Sequence, residues 1–140
     1  MAHRYAELSD LVALGIVAAS VSGVDLTRVN AALNAAADLM DGYLRQRGVT
    51  LPLTAWGDAW TECNCRLAAE TVLAVAGHNP QMGRDDVASV RAARSIAWLE
   101  KVALGQVNPG VTDSTPTDTS DADGVTFSAG VIPRRNWNRR

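Results

Sequence analysis

Between Asp25 and Gly48 the apolar positions Leu26, Val29, Leu33, Ala36, Met40 and Leu44 recur every three or four residues, which puts them on one face of a helix. Asn30, Asn34, Asp41 and Arg45 fall on another face, one that water or a partner must cover. Asp25 is placed to accept the free N–H groups of the first turn at the positive end of the helix dipole. Arg45 and Arg47 lie at the negative end, and Gly48 can take the left-handed conformation that stops a helix. Leu51-Pro52-Leu53 then reads as a short extended exit. Start, stop and stripe agree on one long helix around which the chain is organised.

The same pattern predicts three shorter neighbours. Leu8 to Val17 reads as a first helix capped by Ser9, with Leu11, Leu14 and Ile16 or Val17 supplying an apolar face. Ala19 to Val24, with small residues and Gly23, reads as a loop. After Leu53, Thr54 or Asp58 opens a third helix through Trp60, Cys63, Leu67, Val72 and Val75, ending at Gly77 before His78-Asn79-Pro80, where proline forbids continuation. A fourth helix runs from about Asp85 to Leu104, with Ala88, Ala92, Ile96, Leu99 and Ala103 in register and Gly105 closing it. Asp85 and Asp86 at its start and Lys101 in its last turn suit the dipole.

Beyond Gly105 the pattern is lost. Residues 107–124 are polar, acidic and broken by proline and glycine, too poor in apolar surface to offset the entropy of ordering. Val125-Thr126-Phe127-Ser128 alternates like one short strand, and the end, Pro133 to Arg140, is basic with a single Trp. Two units follow: a helical body, residues 1–106, and an extended C-terminal arm, residues 107–140, expected to order from about Asn108 only on docking. The predicted fold class is all-α, a small bundle of about four helices with that arm.

Composition narrows the function. A 140-residue chain fits one domain with a core large enough to stand without staples. Much of its apolar content is alanine, which favours helix and lets helices approach closely. Thirteen Lys+Arg against fifteen Asp+Glu give no global pull toward nucleic acid or an anionic membrane. No apolar run reaches the roughly 18 residues a membrane span needs. The start, Met1-Ala2-His3-Arg4-Tyr5, lacks a secretory pattern, which predicts folding in a cytoplasm.

Catalytic and metal chemistry find little to stand on. Cys63 and Cys65 sit two apart on a helix and so point roughly 200° away from each other, unsuited to a disulfide or a shared metal. Structural zinc would want further Cys or His ligands at regular spacing, and His3 and His78 stand in unrelated places. Buried free thiols are the expectation, and His78 reads as a helix-end residue meeting the last carbonyls. No Gly-rich phosphate loop, nucleophile elbow or His-Glu-x-x-His occurs, so neither an enzyme nor a cofactor is expected. The terminus is different: Arg134, Arg135, Trp137, Arg139 and Arg140, with Phe127 and Ile132 before them, combine the residue types of protein hot spots. They form the candidate partner-binding set. The same Arg/Trp terminus could instead grip phosphates and stack on bases, which leaves a small helical nucleic-acid-binding protein as the alternative.

Three blocks in order resemble the Mu-type phage family of small helical head-to-tail connectors. They are Tyr5-Ala-Glu-Leu-Ser-Asp10-Leu11; Ala36 to Arg47 with Leu51-Pro52-Leu53, Cys63 and Arg66-Leu67-Ala68; and Arg91 to Gly105 with Ile96, Trp98, Leu99 and Val102. Gly48-Val49-Thr50 departs from the family pattern after Arg47, adding a residue before Leu51. The resemblance implies a structural virion protein in the phage neck, assembled in the host cytoplasm. It would be an adaptor whose copies form a homo-oligomeric ring between the portal protein and a tail-side neck or stopper protein, continuing a channel through which DNA passes unread. Asp38, Asp41, Glu62 and Glu70 are candidates to line that channel because they are charged and helical. Of the tryptophans, Trp98 is expected in the core and Trp56 at the surface or an interface.

Overall fold

The computed structural model describes residues 5–14, 21–77 and 85–115. Four helices carry them: α1 (Leu8–Leu14), α2 (Leu26–Arg47), α3 (Asp58–Val75) and α4 (Asp85–Ala103). The fold is all-α, and the only pairing of extended backbone among the described residues is an isolated antiparallel bridge between Ala55 and Thr112. Helices α2, α3 and α4 pack mutually, and α1 lies on α3.

The long helix forms as its stripe requires. Val29, Leu33, Ala36, Met40 and Leu44 are buried, joined by Ala32 and Ala37, so the alanines let the neighbouring helices come close. Asp25 caps the start by accepting from the Thr27 N–H at 3.3 Å. Gly48 stops the end at φ +86°, with its N–H donating to Arg45 O at 3.0 Å and the Val49 N–H to Leu44 O at 3.1 Å. That double bond with Val49 folded back on the core is a Schellman stop. Helix α4 ends the same way, Gly105 N–H on Val102 O and Gln106 N–H on Lys101 O.

Three expectations are corrected here. Ser9 does not cap α1: the helix begins at Leu8, and Asp10 reaches back to accept from the Glu7 N–H at 2.9 Å, half of a capping box. Leu14 and Leu26 belong to the predicted apolar faces yet are exposed, Leu26 at 54%, because each sits in a terminal turn that projects past its neighbours. Asp41, on the face of α2 expected to need water or a partner and a candidate channel residue, is only 6% exposed, covered from within the chain by Tyr5. Helix α3 starts with Asp58 in its first turn, after an N-cap at Gly57 that has no side-chain bond. Thr54 instead offers its hydroxyl to the Thr112 and Asp113 carbonyls.

The chain does not leave the body at Gly105. Arg47 Nη1 donates to Val107 O at 2.6 Å, and Pro109 is buried. Val107 and Val111 pack against the core. Thr54 N–H donates to Thr112 O at 2.9 Å, Thr112 N–H to Ala55 O at 2.8 Å, and Ser114 N–H to Thr50 O at 3.4 Å. Residues 112–114 therefore bond back to the chain's own α2–α3 connection through backbone groups, which hydropathy does not register. The candidate strand 125–128, the rest of the arm and His78-Asn79-Pro80 lie outside the described residues.

Candidate assembly surface

The N-terminal strand of chain before α1 is held by aromatic packing. Tyr5 is buried with its ring edge-on to Trp56, centroids 5.0 Å apart, and to Trp60 at 5.8 Å. Its hydroxyl donates to Asp41 Oδ1, and its carbonyl accepts from the Thr61 hydroxyl at 3.2 Å. Burial first, then the bond and charge of Asp41, push the Tyr5 phenol well above its ordinary range. A charged residue in the middle of α2 thus serves to anchor the chain start, and it is closed off from any channel. Trp60 passes the packing on to Trp98, 5.8 Å away. Trp98 is half-buried against the core and Trp56 is 36% exposed, so the rim of this cluster reaches the surface at Trp56.

On α3 the two cysteines are free and buried, as the spacing led one to expect. Burial raises Cys63 to about 12, against the Ser95 hydroxyl bonded to it and the Arg66 charge, and raises Cys65 to about 11. Neither is poised as a thiolate nucleophile at neutral pH. Asn64 between them is fully buried and donates from Nδ2 to Leu33 O at 3.4 Å, tying α3 to α2. Among the described residues no cluster of three or more His, Cys, Asp or Glu could hold a metal. Of the acidic channel candidates, Asp38 and Glu70 are exposed, and Glu62 is half-exposed and paired with Arg66 one turn on.

Several apolar side chains remain open on the body. Leu8, Val12, Val24 and Leu26 line a groove of about 360 Å³ where α1 meets the start of α2. A second groove, about 420 Å³, lies at the opposite end of α2 between that helix and α4, lined by Tyr43, Gln46, Glu100, Ala103 and Leu104. Leu104 is 73% exposed there, and exposed Leu39 stands one turn before Tyr43. Val75, Val87 and Val90 are exposed as well. Leu26 is in register with a stripe and Leu104 lies at the end of one, while Val12, Leu39, Val87 and Val90 fall off the predicted stripes, so only the packing shows which of them stay open. The residues proposed from sequence as partner-binding, Phe127, Ile132, Arg134, Arg135, Trp137, Arg139 and Arg140, all lie outside the described residues.

The described body is built of Ala-rich helices and leaves apolar surface open at both ends of α2. The profile of the family described as Bacteriophage Mu, Gp36 matches residues 4–128. That span takes in the whole helical body and most of the arm, and the chain belongs to this Mu-type bacteriophage family. Neither a curated protein nor a solved structure matches it. No helix among the described residues is long and apolar enough to cross a membrane.

Proposed function

We propose that the protein is a structural component of the phage neck, a head-to-tail adaptor that acts without a catalytic step. Copies assemble as a ring between the portal protein and the tail-side neck protein and continue the channel that DNA traverses. The observation that carries this reading is the family match across residues 4–128. The body supports it physically. A ring is built from head-to-tail contacts, so each copy needs two unlike surfaces, and here unlike apolar surfaces stand at the two ends of α2. Hydrophobic positions left open in this way mark interaction sites when they are contiguous.

The test is binding to purified portal rings. The adaptor reading expects the monomer to dock on them at a fixed stoichiometry and to resist release by salt. Salt-dependent DNA binding by the free protein, lost on deleting Pro133 to Arg140, with no affinity for portal rings, would reject it in favour of the nucleic-acid-binding alternative.

A further inference from the structure

We propose that the groove between the C-terminal ends of α2 and α4 is a docking site for the chain's own C-terminal segment, residues 125–140, in the unassembled protein. Tyr43, Gln46, Glu100, Ala103 and Leu104 line the groove, with Glu100 its acidic member, and exposed Leu39 stands one turn before Tyr43. The segment has the matching chemistry, Phe127, Ile132 and Trp137 interleaved with Arg134, Arg135, Arg139 and Arg140. An indole or phenyl ring gains most from leaving water, and Arg is the cation best suited to a carboxylate beside it.

The path of the chain selects this groove over the other open surfaces. Leu104 leads through Gly105 and Gln106 to Val107, which is fixed on Arg47 at the end of α2. After its excursion to Ala55 the chain returns, and the Thr115 hydroxyl donates to Thr50 Oγ1 at 3.1 Å, three residues past the α2 terminus. The last described residue is therefore anchored to the turn that follows α2, at the end of the bundle where the groove opens. From Thr115 the chain to Phe127 spans up to about 40 Å when extended, ample to reach the groove that opens beside its anchor. A short tether of this kind holds the segment at an effective concentration on the order of millimolar, so even a weak contact is occupied within one molecule.

The test uses the full chain with Asn138→Cys carrying a nitroxide. Cys63 and Cys65 are buried and do not compete for the label in the folded protein. With leucine and valine methyls labelled, the nitroxide is expected to broaden Leu39 and Leu104 strongly and to leave Val12, Leu26 and Val87 sharp. Leu104→Glu, an exposed position whose change leaves the core intact, should abolish the broadening at Leu39, and Leu104→Met should keep it. Mixing spin-labelled, isotope-free chains with isotope-labelled, spin-free ones should give no broadening. Sharp Leu39 and Leu104 in the labelled chain, broadening at Val12 or Val87 instead, or broadening that arises only in the mixed sample each overturn the proposal. None of these outcomes touches the adaptor reading, which is decided by portal binding.

Discussion

Replacing Tyr5 by Phe isolates one hydroxyl, because the ring keeps its edge-on contacts with Trp56 and Trp60. What disappears is the donor to Asp41 Oδ1, supplied across thirty-six residues of sequence. Taking one partner from a buried polar pair costs roughly 1–3 kcal/mol, since the acceptor has given up water and no longer receives that bond. For a body of this size, 1 kcal/mol moves the melting temperature by roughly 3–5 °C, so Tyr5→Phe should melt about 3–15 °C lower. The variant also changes the alkaline limb. The Tyr5 phenol is raised above its ordinary 10 in the folded protein, so its contribution is whole below pH 10 and is lost as the pH climbs beyond that, at up to about 1.4 kcal/mol per pH unit. Urea unfolding followed by circular dichroism from neutral pH upward reads both effects. The wild type should lose stability more steeply above pH 10 than Tyr5→Phe. A variant within about 0.5 kcal/mol of wild type at pH 7, with an unchanged alkaline slope, would refute the role given to this pair.

Both cysteines extend the alkaline argument: their folded values of about 12 and 11 stand above the ordinary 9.0. They too contribute stability that is whole below pH 9 and falls as pH rises, and at pH 8 a thiol reagent should modify neither until urea unfolds the chain. Gly48→Ala places a Cβ at φ +86°, and the strain of the left-handed conformation should cost about 1 kcal/mol in unfolding free energy. Arg47→Met removes the 2.6 Å bond to Val107 O; it should lower overall stability by about 1 kcal/mol and raise amide exchange at Thr112 and Ser114, whose N–H groups bond back to the body. Limited proteolysis should spare residues 107–115 in the wild type and open them in that variant.

The helical scaffold was legible because its determinants are local. Asp25, Gly48 and Gly105 act within one turn of where they stand, and the α2 stripe is read by counting threes and fours. Periodicity put Cys63 on the buried stripe, whereas Cys65, on the other side of α3, is buried because the packing around α3 covers that side too. Asp41 was misread because a lone carboxyl on a helix is ordinarily solvated, and its partner, Tyr5, is brought to it only by tertiary folding. The Ser9 cap failed for a subtler reason, since Asp10 one residue on satisfies the Glu7 N–H and starts the helix a residue earlier. Residues 107–115 escaped a hydropathy reading because backbone bonds to Thr50, Thr54 and Ala55 hold them, with Pro109 and two valines as the only apolar pins. The open grooves are harder still. Leu39 lies off the α2 stripe and Leu104 just past the end of α4, and only the packing of α2 beside α4 shows that nothing in the described body covers them.

Imaging of intact particles at a resolution that distinguishes helices tests the adaptor assignment most directly. The account predicts a ring of density between the portal and the tail into which the α1–α4 body fits, with copies meeting through unlike faces. Particles that carry no such density, while retaining their tails when this chain is missing, would contradict it.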